Sequence, residues 1–130
     1  MGSVLLVGTG GALGAMGRYG LSLLPWRGEF PLLTLLTILL GAVLIGFIAG
    51  LAGRGRLNPS AALFWKTGVC GGFTTFSAFS LETLALLERG KYATGALYAC
   101  GSVLACLAGV VIGRLAVRGV RAALTGSAAA

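Results

Sequence analysis

Apolar residues fill this chain in four long runs separated by short polar stretches. The runs are Val4–Leu24, Leu32–Gly53, Ala61–Leu87 and Thr94–Val117, each near or above the roughly 20 residues a helix needs to cross hydrocarbon. The pattern predicts an all-α membrane protein: one four-helix transmembrane domain over residues 1–130, with a short basic C-terminal tail. In the first run Gly10 and Gly14 offer a thin face for close helix contact. Arg18, near the end of that run, reads either as a cation snorkelling to the interface or as a vestibule or partner contact. Pro25 and Trp26 mark the boundary. The second run has only Thr34 and Thr37 as polar side chains, and Gly41, Gly46 and Gly50 provide packing notches. Asn58-Pro59 closes the following loop, and Ser60 is a candidate cap for the next helix.

The third run departs from an ordinary membrane helix. Gly68-Val69-Cys70-Gly71-Gly72-Phe73-Thr74-Thr75-Phe76-Ser77-Ala78-Phe79-Ser80-Leu81-Glu82 packs glycines, hydroxyls and phenylalanines into one stretch that a carboxylate closes. Gly71 and Gly72 let the backbone leave helical geometry without a Cβ penalty, so the third helix is expected to be broken at mid-membrane. Such a break must be buried in protein or line a polar cavity, because lipid cannot satisfy its amides. Phe73, Phe76 and Phe79 recur every three residues and form a stripe on a resumed helix. Glu82 follows one turn later, with a cation or backbone amides as expected partners. Both a structural role and a role in transport stand open for it. In the fourth run Tyr98, Ser102 and Cys106 fall at i, i+4 spacing on one face, which suits either helix–helix contact or an ion path.

Composition narrows the class. The chain is 57% hydrophobic and only 10% charged, with a mean hydropathy of +0.97, outside the range of soluble domains. The net charge of +7 does not point to nucleic acid, because the cations sit at the ends of runs. Arg54, Arg56, Arg114, Arg118 and Arg121 lie on the side of the N-terminus, and Arg27, Arg89 and Lys91 on the other. Five against three is a weak orientation bias, so insertion either way, or pairing with an inverted copy, is open. The N-terminus is apolar and lacks a basic leader region, which predicts a retained span rather than a cleaved signal. Cys70, Cys100 and Cys106 fall inside predicted spans, and with no histidine they do not make a metal centre. No histidine, no aspartate and scattered glutamates exclude the usual enzyme chemistries.

The run from Cys70 to Glu82 resembles the signature of the Fluc/CrcB fluoride channels. Gly10-Gly11-x-x-Gly14-Ala15-x-x-Arg18-Tyr19 and Arg89-Gly90-x-Tyr92-Ala93 match as well, so the resemblance spans essentially the whole chain. It implies an antiparallel, dual-topology dimer that lets F⁻ leave the cytoplasm passively across the inner (plasma) membrane, in contact with membrane lipid. A structural Na⁺ at the dimer centre would be held by backbone carbonyls, here those of Gly71 and Thr74. Phe76 and Phe79 would face the anion with their ring edges, and Ser77, Ser80 and Ser102, with Tyr98 nearby, would extend the ion path. Arg18 would sit at a vestibule or dimer contact, and Glu82 would have a structural or gating role.

Three positions depart from the family pattern. The usual asparagine of the second helix is Ile38 here, the threonine between the two phenylalanines is Ala78, and the second small hydroxyl of the fourth helix is Cys106. Two arrangements follow: a homodimer conducting through fewer donors, or a heterodimer with a second family member in which one pore is degenerate. The thinned donor set favours the heterodimer. A non-conducting assembly subunit is a third reading. A small multidrug-type proton-coupled exporter is the alternative of another mechanism, but it needs a carboxylate in the first helix, and none is present.

Overall fold

Long apolar runs become helices because a helix satisfies each backbone amide inside its own segment. A computed structural model describes residues 1–28 and 30–129, and every regular element in them is helical. Helix α1 is Gly2–Ser22 and α2 is Leu32–Gly53. Helix α3 runs through Pro59–Ala62, a π-helical stretch Leu63–Cys70, and Gly71–Phe73. Helix α4 is Phe76–Glu88 and α5 is Tyr92–Ala129. Three stretches, Leu32–Gly53, Pro59–Glu88 and Tyr92–Ala123, are long and apolar enough to cross a membrane. Helix α1 has the length, 21 residues, but its glycines and Arg18 make it less apolar.

The ends of the helices follow local chemistry. Helix α1 stops at Ser22 rather than Leu24: Leu23 and Leu24 donate back to Gly20 and Leu21 at 3.2 Å, and Pro25 disfavours helix in the residue before it. Helices α2 and α4 both end in a Schellman motif built on a left-handed glycine. Gly55 (φ +70°) and Gly90 (φ +76°) fill that position, and Arg56 and Lys91 donate to Leu51 and Leu86 at 3.1 and 2.9 Å. Asn58, not Ser60, caps α3: its side chain accepts from the Ala61 amide at 2.7 Å, with Pro59 preset at the first helical position. Helix α5 continues well past Val117 to Ala129, because the alanine- and arginine-rich tail favours helix.

The break in the third segment is real but begins at Thr74, two residues beyond Gly72. Gly71 keeps helical angles (φ −63°, ψ −38°), whereas Thr74 (φ −95°, ψ 142°) and Thr75 (φ −143°, ψ 122°) are extended. Threonine suits this geometry through its branched Cβ, and its hydroxyl replaces lost backbone bonds. The Thr74 hydroxyl and amide both donate to the Cys70 carbonyl, at 2.8 and 3.0 Å. The Thr75 hydroxyl accepts from the Ala78 amide at 3.5 Å and starts α4.

Glycines instead build two tight helix pairs. Helix α1 meets α3 where a Cβ on Gly10 would stand 2.6 Å from the Phe64 carbonyl oxygen, and one on Gly72 would overlap the Gly11 carbonyl. Helix α2 meets α5 where Cβ atoms on Gly46 and Gly113 would overlap the carbonyls of Val110 and Val43. Backbones this close gain dispersion contacts that lipid cannot replace. Phe73 leaves the predicted aromatic stripe: its ring lies 3.5 Å from where a Cβ would stand on both Gly17 and Gly41, bridging α1 and α2.

Candidate functional site

Two extended threonines between α3 and α4 interrupt the helix beside α2 and α5, and two hollows open there. The larger, about 280 Å³, is lined by Ile38, Thr74, Thr75, Phe76, Phe79, Ser102, Val103 and Cys106. The smaller, about 130 Å³, is lined by Arg18, Ser22, Leu33, Thr34, Thr37, Ile38, Thr75, Ala78 and Glu82. Ile38 and Thr75 border both, so the two hollows adjoin at these side chains, and together they are called the track below.

The polar half of the track is organised by Glu82. Its carboxylate accepts from the Thr34 hydroxyl at 2.7 Å and from the Tyr98 hydroxyl at 3.1 Å, joining α2, α4 and α5. These hydroxyl partners replace the expected cation or backbone amides. Tyr98 is fully buried, and its ring packs against Phe79 at 5.2 Å and edge-on to Phe30 at 5.5 Å. It therefore supports the aromatic half of the track without lining it. Arg18 lines the smaller hollow and Ser102 the larger, and the Nε of the first and the Oγ of the second are buried without a partner. The Thr37 hydroxyl donates to the Leu33 carbonyl at 2.8 Å.

The aromatic half is asymmetric. Phe79 is half-buried beside Tyr98, while Phe76, 5.4 Å from it, is 77% exposed. Ring edges carry positive potential and suit an anion, and Ser102 adds a hydroxyl across the hollow. Ser77 bonds Thr75 (Oγ to Oγ1, 2.8 Å) on the exposed side, and Ser80 is exposed outside both hollows. Of the departures from the family pattern, Ala78 lines the smaller hollow, Cys106 the larger, and Ile38 both. Gly71 faces open space. The extended backbone after it turns the Thr75 and Phe76 amides out of the helical ladder, leaving carbonyls of this turn without helical donors.

Sequence reasoning missed Thr34 and Thr75. Thr34 had a signal, being one of two polar residues in an apolar helix, but nothing linked it to Glu82. Thr75 is hidden in the sequence because Gly71 and Gly72 beside it are the residues freest to unwind.

The Glu82 contacts carry a prediction. Glu82→Leu leaves two hydroxyls unpaired, at roughly 1–3 kcal/mol each. A clear fall in the thermal midpoint in detergent is expected, with recovery when Thr34→Val and Tyr98→Phe are added. An unchanged midpoint for Glu82→Leu alone would show that the carboxylate does not hold these helices together.

The family model described as CrcB-like protein, Camphor Resistance (CrcB), matches residues 5–114. A protein of Nitrobacter winogradskyi named Fluoride-specific ion channel FluC is 44% identical over 119 residues, covering 88% of this chain and 94% of that protein. One of the same name from Chlorobium chlorochromatii is 43% identical, covering 88% and 92%. Fluoride-specific ion channel FluC 2 of Nitrobacter hamburgensis is 47% identical, covering 88% and 95%.

Proposed function

This chain belongs to the CrcB-like family, a family of multi-pass membrane channels rather than enzymes, and we propose from that premise that it is a subunit of a fluoride-specific channel exporting F⁻ passively from the cytoplasm. The observation that carries the reading is the pair of hollows that adjoin at Ile38 and Thr75, one reaching Arg18 and Thr34 and the other Phe79 and Ser102. F⁻ is small and strongly hydrated, so its lost water must be replaced by donors. Arg18 Nε and Ser102 Oγ are buried, unpartnered donors on residues that line the smaller and the larger hollow, and the Phe79 edge offers positive potential in the larger.

The channel is an antiparallel dimer of oppositely inserted chains in the inner (plasma) membrane. The exposure of Phe76 and Gly71 supports a partner surface at the break. Na⁺ suits the break chemically, since unwound carbonyls in membrane helices are sodium ligands. The Gly71 and Thr74 carbonyls would hold it, and the cation would supply positive charge at the interrupted backbone.

A second reading is that the chain pairs with a different family member and leaves one pore degenerate. The apolar Ile38, which borders both hollows, favours it. Fluoride-electrode recording of efflux from liposomes tests both. Efflux only when an asparagine-bearing member is co-reconstituted is expected for the heterodimer, and fast efflux by this chain alone supports the homodimer. No efflux in either arrangement would overturn the channel reading.

A further inference from the structure

Away from the track, a hollow of about 260 Å³ opens at the other end of the α2–α5 pair, lined by Ala49, Gly50, Gly53, Arg54, Arg114 and Arg118. We propose that it binds the phosphate of an anionic membrane lipid, with the three arginines as donors and the glycines of α2 as its floor.

Depth along the helices supports this. Arg114 lies 22 residues after the start of α5, or about 33 Å along its axis at 1.5 Å per residue, close to the roughly 30 Å of a hydrocarbon core. Arg118 is one turn, about 6 Å, farther out on the same face. Arg54 directly follows the 22-residue α2 and so reaches the same level from the neighbouring helix. The hollow thus spans the layer where lipid phosphates lie.

Charge agrees with depth. Arg54, Arg56, Lys66, Arg114, Arg118 and Arg121 gather toward this end of the bundle. Among the described residues, the carboxylates Glu82 and Glu88 lie at the middle and the last position of α4, toward the opposite end. The three arginines therefore face no carboxylate across the hollow. Guanidinium forks match phosphate oxygens in pairs. Gly53 has nothing within 4 Å of a would-be Cβ, so a headgroup can approach the α2 backbone.

Native mass spectrometry of the full chain in detergent, titrated with phosphatidylglycerol or phosphatidylcholine, tests the site. Phosphatidylglycerol is expected to be retained and phosphatidylcholine not. Arg114→Gln with Arg118→Gln should lower phosphatidylglycerol retention about tenfold or more, given the usual strength of arginine–anionic lipid attraction. Arg114→Lys with Arg118→Lys should retain an intermediate amount, and its folded yield controls for damage to α5. Arg56→Gln with Lys66→Gln removes as much charge from the same end outside this hollow and should change little. Equal retention of both lipids, or equal losses in the two glutamine pairs, would overturn the site. Displacement of phosphatidylglycerol by millimolar inorganic phosphate would reassign it to the free anion.

Discussion

Ile38→Asn is expected to raise fluoride efflux by this chain alone, in liposomes, by about 10- to 100-fold. The estimate follows from one hydrogen bond to a charged partner, roughly 1.5–3 kcal/mol, at tenfold in rate per 1.36 kcal/mol of barrier. Ile38 is half-buried and borders both hollows, so its side chain is the apolar surface a desolvated anion meets between Arg18 and Phe79. An asparagine there supplies an amide donor where the two hollows adjoin. Ile38→Ala separates this from simple widening, because it enlarges the gap without a donor and should give little gain. Equal gains from alanine and asparagine would make the barrier at Ile38 steric, and no gain from asparagine would remove Ile38 as the barrier.

Gly14→Val should abolish the folded protein and with it all conduction. A Cβ at Gly14 would overlap the Val69 carbonyl oxygen and stand 2.7 Å from the Phe73 amide nitrogen. Both are backbone atoms of α3, which no side-chain rotation can move aside. Overpacking in cores costs about 1–3 kcal/mol and occasionally more, and this site belongs at the upper end or beyond, since α1 and α3 must separate. That separation would also carry Arg18 out of the smaller hollow. Gly8→Ala on the same helix meets nothing within 4 Å and is the matched control. Size-exclusion profiles in detergent and the thermal midpoint read the difference, and a monodisperse Gly14→Val protein with an unchanged midpoint would refute the packing account.

Much of this was legible in the sequence because membrane chains obey few rules. Uninterrupted apolar runs demand helices, charges collect at their ends, and glycines at four-residue spacing mark close contacts, as Gly10 and Gly14 do against α3. The clustering of hydroxyls and phenylalanines after Gly72 signalled an interrupted helix and the family. The i, i+4 relation of Tyr98, Ser102 and Cys106 puts them on one face of α5, and the structure buries Tyr98 and Ser102 and half-buries Cys106.

What the sequence by itself determined was therefore the class, the runs of helix and the presence of one break, since each rests on local periodicity and backbone hydrogen bonding. Only the tertiary structure decided where the break falls and which residues meet across it. Gly71 and Gly72 had the freedom to unwind, but Gly72 is held helical against Gly11, and the extended turn passed to Thr74 and Thr75, whose hydroxyls replace the missing bonds. Glu82 finding Thr34 from 48 residues away, Phe73 leaving its aromatic neighbours for Gly17 and Gly41, and Ile38 standing between two hollows all depend on how α2, α4 and α5 pack. No spacing along one chain encodes a distance between helices.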